Sequence, residues 1–351
     1  MKLEIAGKIV DNKSETFIIA ELSANHNHNF DIAIKSIDAI KECGADAVKL
    51  QTYTADTITL DCDNDYFQIK QGTIWDGTTL YKLYKQAYTP WEWQPKLKEY
   101  AENLGLICFS SPFDITAVDF LEQMNVPAYK IASFEIVDLP LIEYVASKGK
   151  PIIISTGIAT EEEISDAVDA CKKVGNNQIA LLKCTSEYPA PIEEANLVSI
   201  PYLAEKYKVV TGLSDHTLGT TASITAVALG ARIIEKHFII DRTIGGPDSS
   251  FSLDPKEFKQ MVTAIREAEK SLGKVSFELT DKIIKSRHFS RSLFAVQDIN
   301  TGEVITAENV RSIRPADGLP PKYLPKILGK KAIINIKKGN PITLEKISLN
   351  D

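Results

Sequence analysis

Nowhere in the 351 residues is there a run approaching the roughly 18 apolar residues that a membrane-crossing helix requires, and no apolar signal-type segment follows the first charges at Lys2 and Glu4. The expected compartment is therefore the cytoplasm, with no membrane partner. Cysteine is sparse: Cys43, Cys62, Cys108, Cys171 and Cys184 are odd in number and widely scattered. That pattern fits neither a disulfide framework nor a zinc knuckle, so reduced thiols are expected. An excess of positive charge is missing too, with 40 Lys and Arg against 47 Asp and Glu. A net charge of −7 disfavours nucleic acid, whose phosphates are held by clustered cations. An anionic small molecule needs only local positive charge.

What is present is an ordinary globular balance, 44% hydrophobic and 25% charged. The length suits a core of about 250 residues with an appendage. Short β-branched apolar runs alternate with amphipathic helical stretches, the pattern of βαβ units around a parallel sheet. There are eight such runs: 17–23, 47–53, 106–112, 128–133, 151–157, 179–185, 209–215 and 232–238. Eight predicts an α/β chain of the (β/α)8 TIM-barrel class. Helix starts are marked where Thr89, Thr160 and Asp254 each stand three residues before a glutamate. The last of these opens a helix stopped by Leu272-Gly273, so the barrel is expected over 1–273. A polar linker, 274–289, then leads to a small β-rich domain, 290–351. Within it, 299–306 (INTGEVIT) parallels 336–343 (IKKGNPIT), which predicts two similar hairpin-like units packed together.

About fifty residues separate the second and third runs, and the part rich in Tyr, Trp and Asp, 66–88, reads as a lid or substrate loop. Trp75 is the aromatic expected to wall a sugar. Tyr81 and Tyr84, at i, i+3 spacing, and Trp91 and Trp93 have a packing role as the alternative.

In a barrel of this class chemistry sits at the C-terminal ends of the strands. The run ends supply Glu21, Ser23, Asn25 and His26; Lys49 and Gln51; Ser110 and Ser111; Lys130 and Ser133; Ser155 and Thr156; Lys183, Thr185 and Ser186; Ser214, Asp215 and His216; and Glu235, Lys236 and His237. A lysine inside an apolar strand is costly unless its charge is paired. Each of the four could meet a barrel glutamate. Four together among so many hydroxyls favour a clamp on a phosphate and a carboxylate. His216 and His237 end neighbouring strands and are the candidate ligands of one divalent metal with open positions, of the manganese or magnesium type; two satisfied barrel histidines are the equal alternative. Glu21 and Glu235 are the paired carboxylates for acid–base work, or charge balance for the lysines.

These same residues carry a resemblance. IAELSANH (19–26), KLQT (49–52), SSPF (110–113), YKIAS (129–133), STG (155–157), CTSEYP (184–189), GLSDH (212–216) and EKHF (235–238) look like the sialic acid synthase family, the phosphoenolpyruvate-condensing nonulosonate synthases. Arg291-Ser292-Leu293 and Arg314-Pro315 resemble that family's antifreeze-like, or SAF, domain. The stretch from Trp75-Asp76-Gly77 to Thr89-Pro90-Trp91-Glu92-Trp93 is most similar to the pseudaminic acid branch, and Leu-Ser-Ala-Asn-His after Glu21 departs from the neuraminic acid branch.

The resemblance implies attack of phosphoenolpyruvate C3 on the open-chain aldehyde of 2,4-diacetamido-2,4,6-trideoxy-altrose, addition of water at C2, and loss of phosphate by C–O cleavage. Lys49, Ser110, Lys130, Ser133, Ser155, Ser186 and Ser214 would bind phosphoenolpyruvate. Gln51, Lys183, Asn25, Trp75 and Arg314 complete the expected substrate contacts. A divalent ion on His216 and His237, manganese with magnesium or cobalt as alternatives, would polarise the aldehyde, while Glu21 and Glu235 serve the water and sugar. A homodimer is implied, the SAF domain of one subunit covering the partner barrel. Legionaminic or N-acetylneuraminic acid synthesis is the alternative on the same barrel. A Schiff-base aldolase using Lys130 or Lys183 is the alternative in chemistry.

Overall fold

A computed structural model describes residues 2–348; Met1 and residues 349–351, the last three of the expected C-terminal domain, lie outside the described residues. The chain divides into two compact units, Met1–Gly273 and Lys274–Asp351.

The first unit opens with a hairpin that the apolar-run pattern does not reveal, β1 (Lys2–Ile5) and β2 (Lys8–Asp11). Ala6 and Gly7 turn it with φ of 49° and 78°, the two left-handed residues of a tight primed turn. Its alternation buries Leu3, Ile5 and Val10 in one core with Phe17 and Ile19. The eight expected runs then form β3 (Phe17–Glu21), β4 (Ala47–Thr52), β5 (Ile107–Pro112), β6 (Tyr129–Ile131), β7 (Ile152–Ser155), β8 (Ile179–Cys184), β9 (Val210–Asp215) and β10 (Ile233–His237). All pair in parallel, and β10 closes on β3 with Ile233 opposite Phe17. Both faces of each strand are covered. Phe17 and Ile19 pack in one core while Ile18 and Ala20 pack in another, and Ala47 and Val48 divide the same way. Burial on two sides is why the runs read as continuous apolar stretches rather than alternating ones.

Two of the three expected capping boxes form, Thr160 with Glu163 before the helix Glu161–Lys173 and Asp254 with Glu257 before the helix Pro255–Leu272. The third does not. Thr89 is buried with its hydroxyl 3.0 Å from His26 Nε2, and a 3-10 turn, Trp91–Trp93, precedes the helix Gln94–Asn103. The long insertion folds as a short helix, Ala55–Ile58, a bridge between Gln68 and Thr79, and a helix, Leu80–Ala87.

In the second unit the segment expected as a linker holds a helix, Asp281–Arg287, capped by Thr280. Beyond it β11 (Ser292–Ala295) pairs antiparallel with β12 (Val310–Ile313). The internal repeat has a structural counterpart. Ile299 and Ile336, its first residues, exchange both backbone hydrogen bonds at 2.8 Å. Ile305 and Ile342, its seventh, are both fully buried in this unit's core, and Gly302 and Gly339 turn with φ near 83° and 84°.

Candidate active site

Strand parity decides which run-end residues face the barrel axis. Glu21 shares the face of Ile19, so Lys49 and Gln51 on β4, two apart, stand beside it. The contacts bear this out: Lys49 Nζ lies 3.0 Å from Glu21 Oε2 and 2.9 Å from Glu235 Oε1, and Gln51 donates to Glu21 Oε1 at 2.8 Å. Lys130 Nζ is 2.6 Å from Ser155 Oγ and 3.7 Å from Glu235. Ser214 donates to Glu235 Oε1 at 3.0 Å. Two lysines and two glutamates thus make one buried, internally neutralised cluster. Burial alone would raise both carboxyl pKa values, but Lys49 outweighs it at Glu21 and Lys130 and Lys49 outweigh it at Glu235, so both remain ionised. Lys49 is held charged against its burial by the two carboxylates, whereas burial brings Lys130 down.

The four strand lysines do not all wait for an anion. Lys236 lies on the opposite face of β10 from Glu235 and pairs with Asp215 at 2.8 Å. Lys183 precedes Cys184, whose sulfur faces inward, and its ammonium folds back onto the Cys184 carbonyl at 2.5 Å. On β5 the parity likewise separates neighbours. Ser110 hydrogen-bonds to Thr52 at 2.6 Å, and Thr52 to Gln94 on the flanking helix at 2.7 Å, which places Ser110 on the helix side. Ser111 takes the face of Phe109. Asn25 is fully buried, and its amide donates to the Phe238 carbonyl and the Ser252 hydroxyl, tying two loops together. Arg314 lies exposed on the second unit.

Ser133, Ser186 and Gly157 converge. The Gly157 N–H donates to Ser133 Oγ at 3.1 Å, and a Cβ on Gly157 would fall 2.1 Å from Ser186 Oγ and 2.6 Å from Ser133 Oγ. Only a glycine lets the backbone approach those hydroxyls so closely. An N–H with several hydroxyls beside Lys130 is a set of donors suited to a phosphate or carboxylate.

The His216 and His237 rings lie 5.4 Å apart. His216 Nδ1 is 2.9 Å from the Thr185 carbonyl, so in the neutral ring the proton sits there and Nε2 keeps its lone pair. His237 Nε2 is 3.2 Å from Glu21 Oε2, and its buried Nδ1 has no hydrogen-bond partner. Burial lowers the His237 pKa more than Glu21 raises it, which favours the neutral, metal-ligating form. Two available imidazole nitrogens fit an ion that takes its other ligands from water and substrate. Among the described residues no group of three His, Cys, Asp or Glu side chains forms a closed metal cage.

Sequence reasoning passed over several groups at this mouth. Cys184 Sγ is 3.8 Å from His216 Nδ1; burial would raise the thiol, but the imidazole brings it down to about 7. Glu135, just after β6, is pushed up to about 7, chiefly by burial. Tyr188 stacks 4.4 Å from His216 and 5.4 Å from Trp75. Trp75 donates from Nε1 to the Pro247 carbonyl at 3.0 Å, and the neighbouring Asp248 accepts from Ser23. The parity of Cys184 with the barrel face was the one readable signal among them. Of the eight buried side-chain atoms left without a hydrogen-bond partner among the described residues, Asn25 Oδ1, Ser111 Oγ, Glu135 Oε2, Glu235 Oε2 and His237 Nδ1 all belong to residues in or just after barrel strands at this end. Unsatisfied buried polar atoms are rare, and their concentration marks a place that a polar ligand completes.

A closed parallel barrel with ionised carboxylates, lysines, hydroxyls and two imidazoles at its C-terminal mouth defines an enzyme-type site for small anionic molecules. Residues 36–277 match the NeuB family and residues 290–348 the SAF domain. The chain belongs to the NeuB family. It is 51% identical over 328 residues to a pseudaminic acid synthase of Campylobacter jejuni subsp. jejuni serotype O:2, covering 93% of this chain and 95% of that protein. It is 50% identical over 331 residues to a pseudaminic acid synthase of Helicobacter pylori, covering 94% and 97%. Among solved structures it superposes on the N-acetylneuraminic acid (sialic acid) synthetase of Leptospira borgpetersenii with a TM-score of 0.72 and 32% identity, covering 82% of this chain and 95% of that one.

Proposed function

We propose that the protein is a pseudaminic acid synthase, condensing phosphoenolpyruvate with 2,4-diacetamido-2,4,6-trideoxy-L-altrose in its open-chain form and water to give pseudaminic acid and phosphate. The observation that carries the reading is the 50–51% identity to pseudaminic acid synthases over nearly the whole chain, against 32% to a sialic acid synthetase. The legionaminic and neuraminic alternatives would keep the same barrel chemistry.

In this reading C3 of phosphoenolpyruvate forms a bond to the sugar aldehyde carbon, water adds at C2, and the C2–O bond breaks to release phosphate. The Ser133, Ser186 and Gly157 cradle, with Lys130, Ser155 and the unpartnered Ser111 hydroxyl, receives the anionic ends of phosphoenolpyruvate. Lys49 holds Glu21 and Glu235 ionised and fixed. Glu235, which keeps one oxygen free of protein partners, is placed to take a proton from the attacking water. Glu135 retains a proton into the neutral range, so it is the group available to donate one as charge develops on the sugar oxygen. A divalent ion, manganese with magnesium or cobalt as alternatives, held by His216 and His237 would supply Lewis-acid polarisation of the aldehyde. Trp75 and Tyr188 wall the sugar side.

The assembly proposed is a cytoplasmic homodimer in which the SAF domain of one subunit covers the partner's barrel and brings Arg314 to the sugar. This rests on family resemblance and on the exposure of Arg314.

Phosphoenolpyruvate labelled with 18O at its bridging oxygen tests the chemistry. C–O cleavage delivers the label to phosphate. Retention of the label in the sugar acid would indicate P–O cleavage and contradict this step, whereas a borohydride-trapped lysine adduct with pyruvate would support the Schiff-base aldolase alternative.

A further inference from the structure

On the outer face of β9 and β10, away from the barrel axis, Asp215 and Lys236 stand directly opposite each other in the strand register. Their charged ends are 2.8 Å apart and both side chains are 1% exposed or less. Asp215 Oδ1 accepts from the Thr217 N–H at 2.9 Å and the Thr217 hydroxyl at 2.7 Å. Its Oδ2 accepts from Ser223 at 2.7 Å, on the helix Thr221–Ala228, and Lys236 also donates to the Thr217 carbonyl.

The position of this network in the chain gives it meaning. His216 is the residue between Asp215, which carries the carboxylate, and Thr217, which donates to it twice, and His237 directly follows Lys236. A single ion pair therefore clamps the backbone on which both imidazoles are mounted, while its own side chains point to the helix layer. A buried ion pair between two strands beneath a packed helix is no better for stability than apolar side chains of similar volume, because both charges lose their hydration. Ile234 and Leu213, on this same outer face, are buried in the apolar core there. Where apolar packing is available, a hydrogen-bonded buried ion pair is better accounted for by the geometry it imposes than by energy it adds.

We propose that Asp215 and Lys236 are positioning residues, a buried clamp that sets the separation and orientation of His216 and His237 and thereby the affinity of that pair for a divalent cation. The cation part rests on the proposed function; the geometric part does not.

The experiment uses the full-length protein with histidine labelled at 13Cε1. The five histidines give five signals, assigned with His216→Asn and His237→Asn. Two variants are compared with wild type: the paired neutral replacement Asp215→Asn with Lys236→Met, and the milder Ser223→Ala, which removes one bond to the carboxylate. Mn2+ affinity is read separately by the electron-spin signal of free Mn2+. The expected result is that the His216 and His237 signals move or broaden while those of His26, His28 and His288 hold, and that Mn2+ binding weakens about 10- to 100-fold in the paired variant, the usual range for outer-shell partners. Ser223→Ala shifts the same two signals less. Unchanged His216 and His237 signals in both folded variants overturn the clamp, even if melting temperature falls. Should the paired variant not fold, Ser223→Ala decides by the same signals. Wild type that binds no Mn2+ would contradict the cation part and the metal reading together, and the histidine signals would still decide the geometric part.

Discussion

The ammonium of Lys49 lies 2.9 Å from the Glu235 carboxylate, and neither side chain reaches solvent. Because Glu21 holds the same ammonium from the other side at 3.0 Å, the two carboxylates share one cation at the centre of the barrel mouth. Replacing Lys49 by Met leaves two buried carboxylates with Lys130 alone near one of them. Breaking a buried pair from one side typically costs about 3–5 kcal/mol. The expected outcome is a large fall in melting temperature and loss of phosphate release by at least 100-fold, roughly 2.7 kcal/mol of barrier. Glu235→Gln, which keeps shape and hydrogen bonding, should keep the fold and lose turnover. A Lys49→Met enzyme of near-normal turnover would show that the cluster is structural only.

Glu135 gives a pH signature of defined sign. Its carboxyl is raised from 4.5 to about 7 in the folded protein, so the folded state holds its proton more tightly than the unfolded chain. The stability this contributes is complete below pH 4.5 and is lost as pH rises through about 7. A Glu135→Gln variant cannot ionise and lacks that slope. Relative to wild type its melting temperature should gain a few degrees at pH 8 and gain little at pH 5. Equal differences at the two pH values would contradict the raised pKa.

Gly157 tests the anion cradle without removing any functional group. The added methyl of Gly157→Ala must displace the Ser133 and Ser186 hydroxyls. Overpacking of about 1–3 kcal/mol confined to those contacts predicts a rise in KM for phosphoenolpyruvate of about tenfold or more, with the circular dichroism spectrum unchanged. A selective rise in the sugar KM would move the cradle to the other substrate.

Trp75 tests the sugar side. Its ring packs on Tyr188 and its indole N–H holds the Pro247 carbonyl, so Trp75→Ala removes a wall and loosens the loop carrying Asp248. The sugar KM should rise about tenfold, near 1.4 kcal/mol, with phosphoenolpyruvate KM little changed.

The barrel was legible because eight strands covered on both faces must be apolar throughout, and the boundaries at Thr160, Asp254 and Gly273 carry local capping chemistry. That same double burial obscured side-chain direction. Lys183, Lys236 and Ser110 read as equals of Lys49, Lys130 and Ser111, yet one residue of parity sends them to the helix side. The two-residue period, counted from Glu21 through the strand register, separates them, but it requires the register that only the closed sheet supplies. The hairpin β1–β2 is too short to announce itself in an apolar run. Thr89 has capping spacing but is captured by His26, a tertiary contact that no local rule contains. Glu135 matters through burial, which sequence does not display, and Cys184 shows only its strand parity there, not the His216 ring beside it.

The most direct test of the central claim is turnover of the purified protein with phosphoenolpyruvate and Mn2+, offered separately the altro-configured diacetamido sugar and N-acetylmannosamine, with phosphate release and product mass recorded. Turnover of the altro sugar alone, giving a product of pseudaminic acid mass and abolished by EDTA, is the result predicted. Turnover of N-acetylmannosamine alone would contradict the assigned sugar, and no phosphate release with either sugar would contradict the synthase reading as a whole.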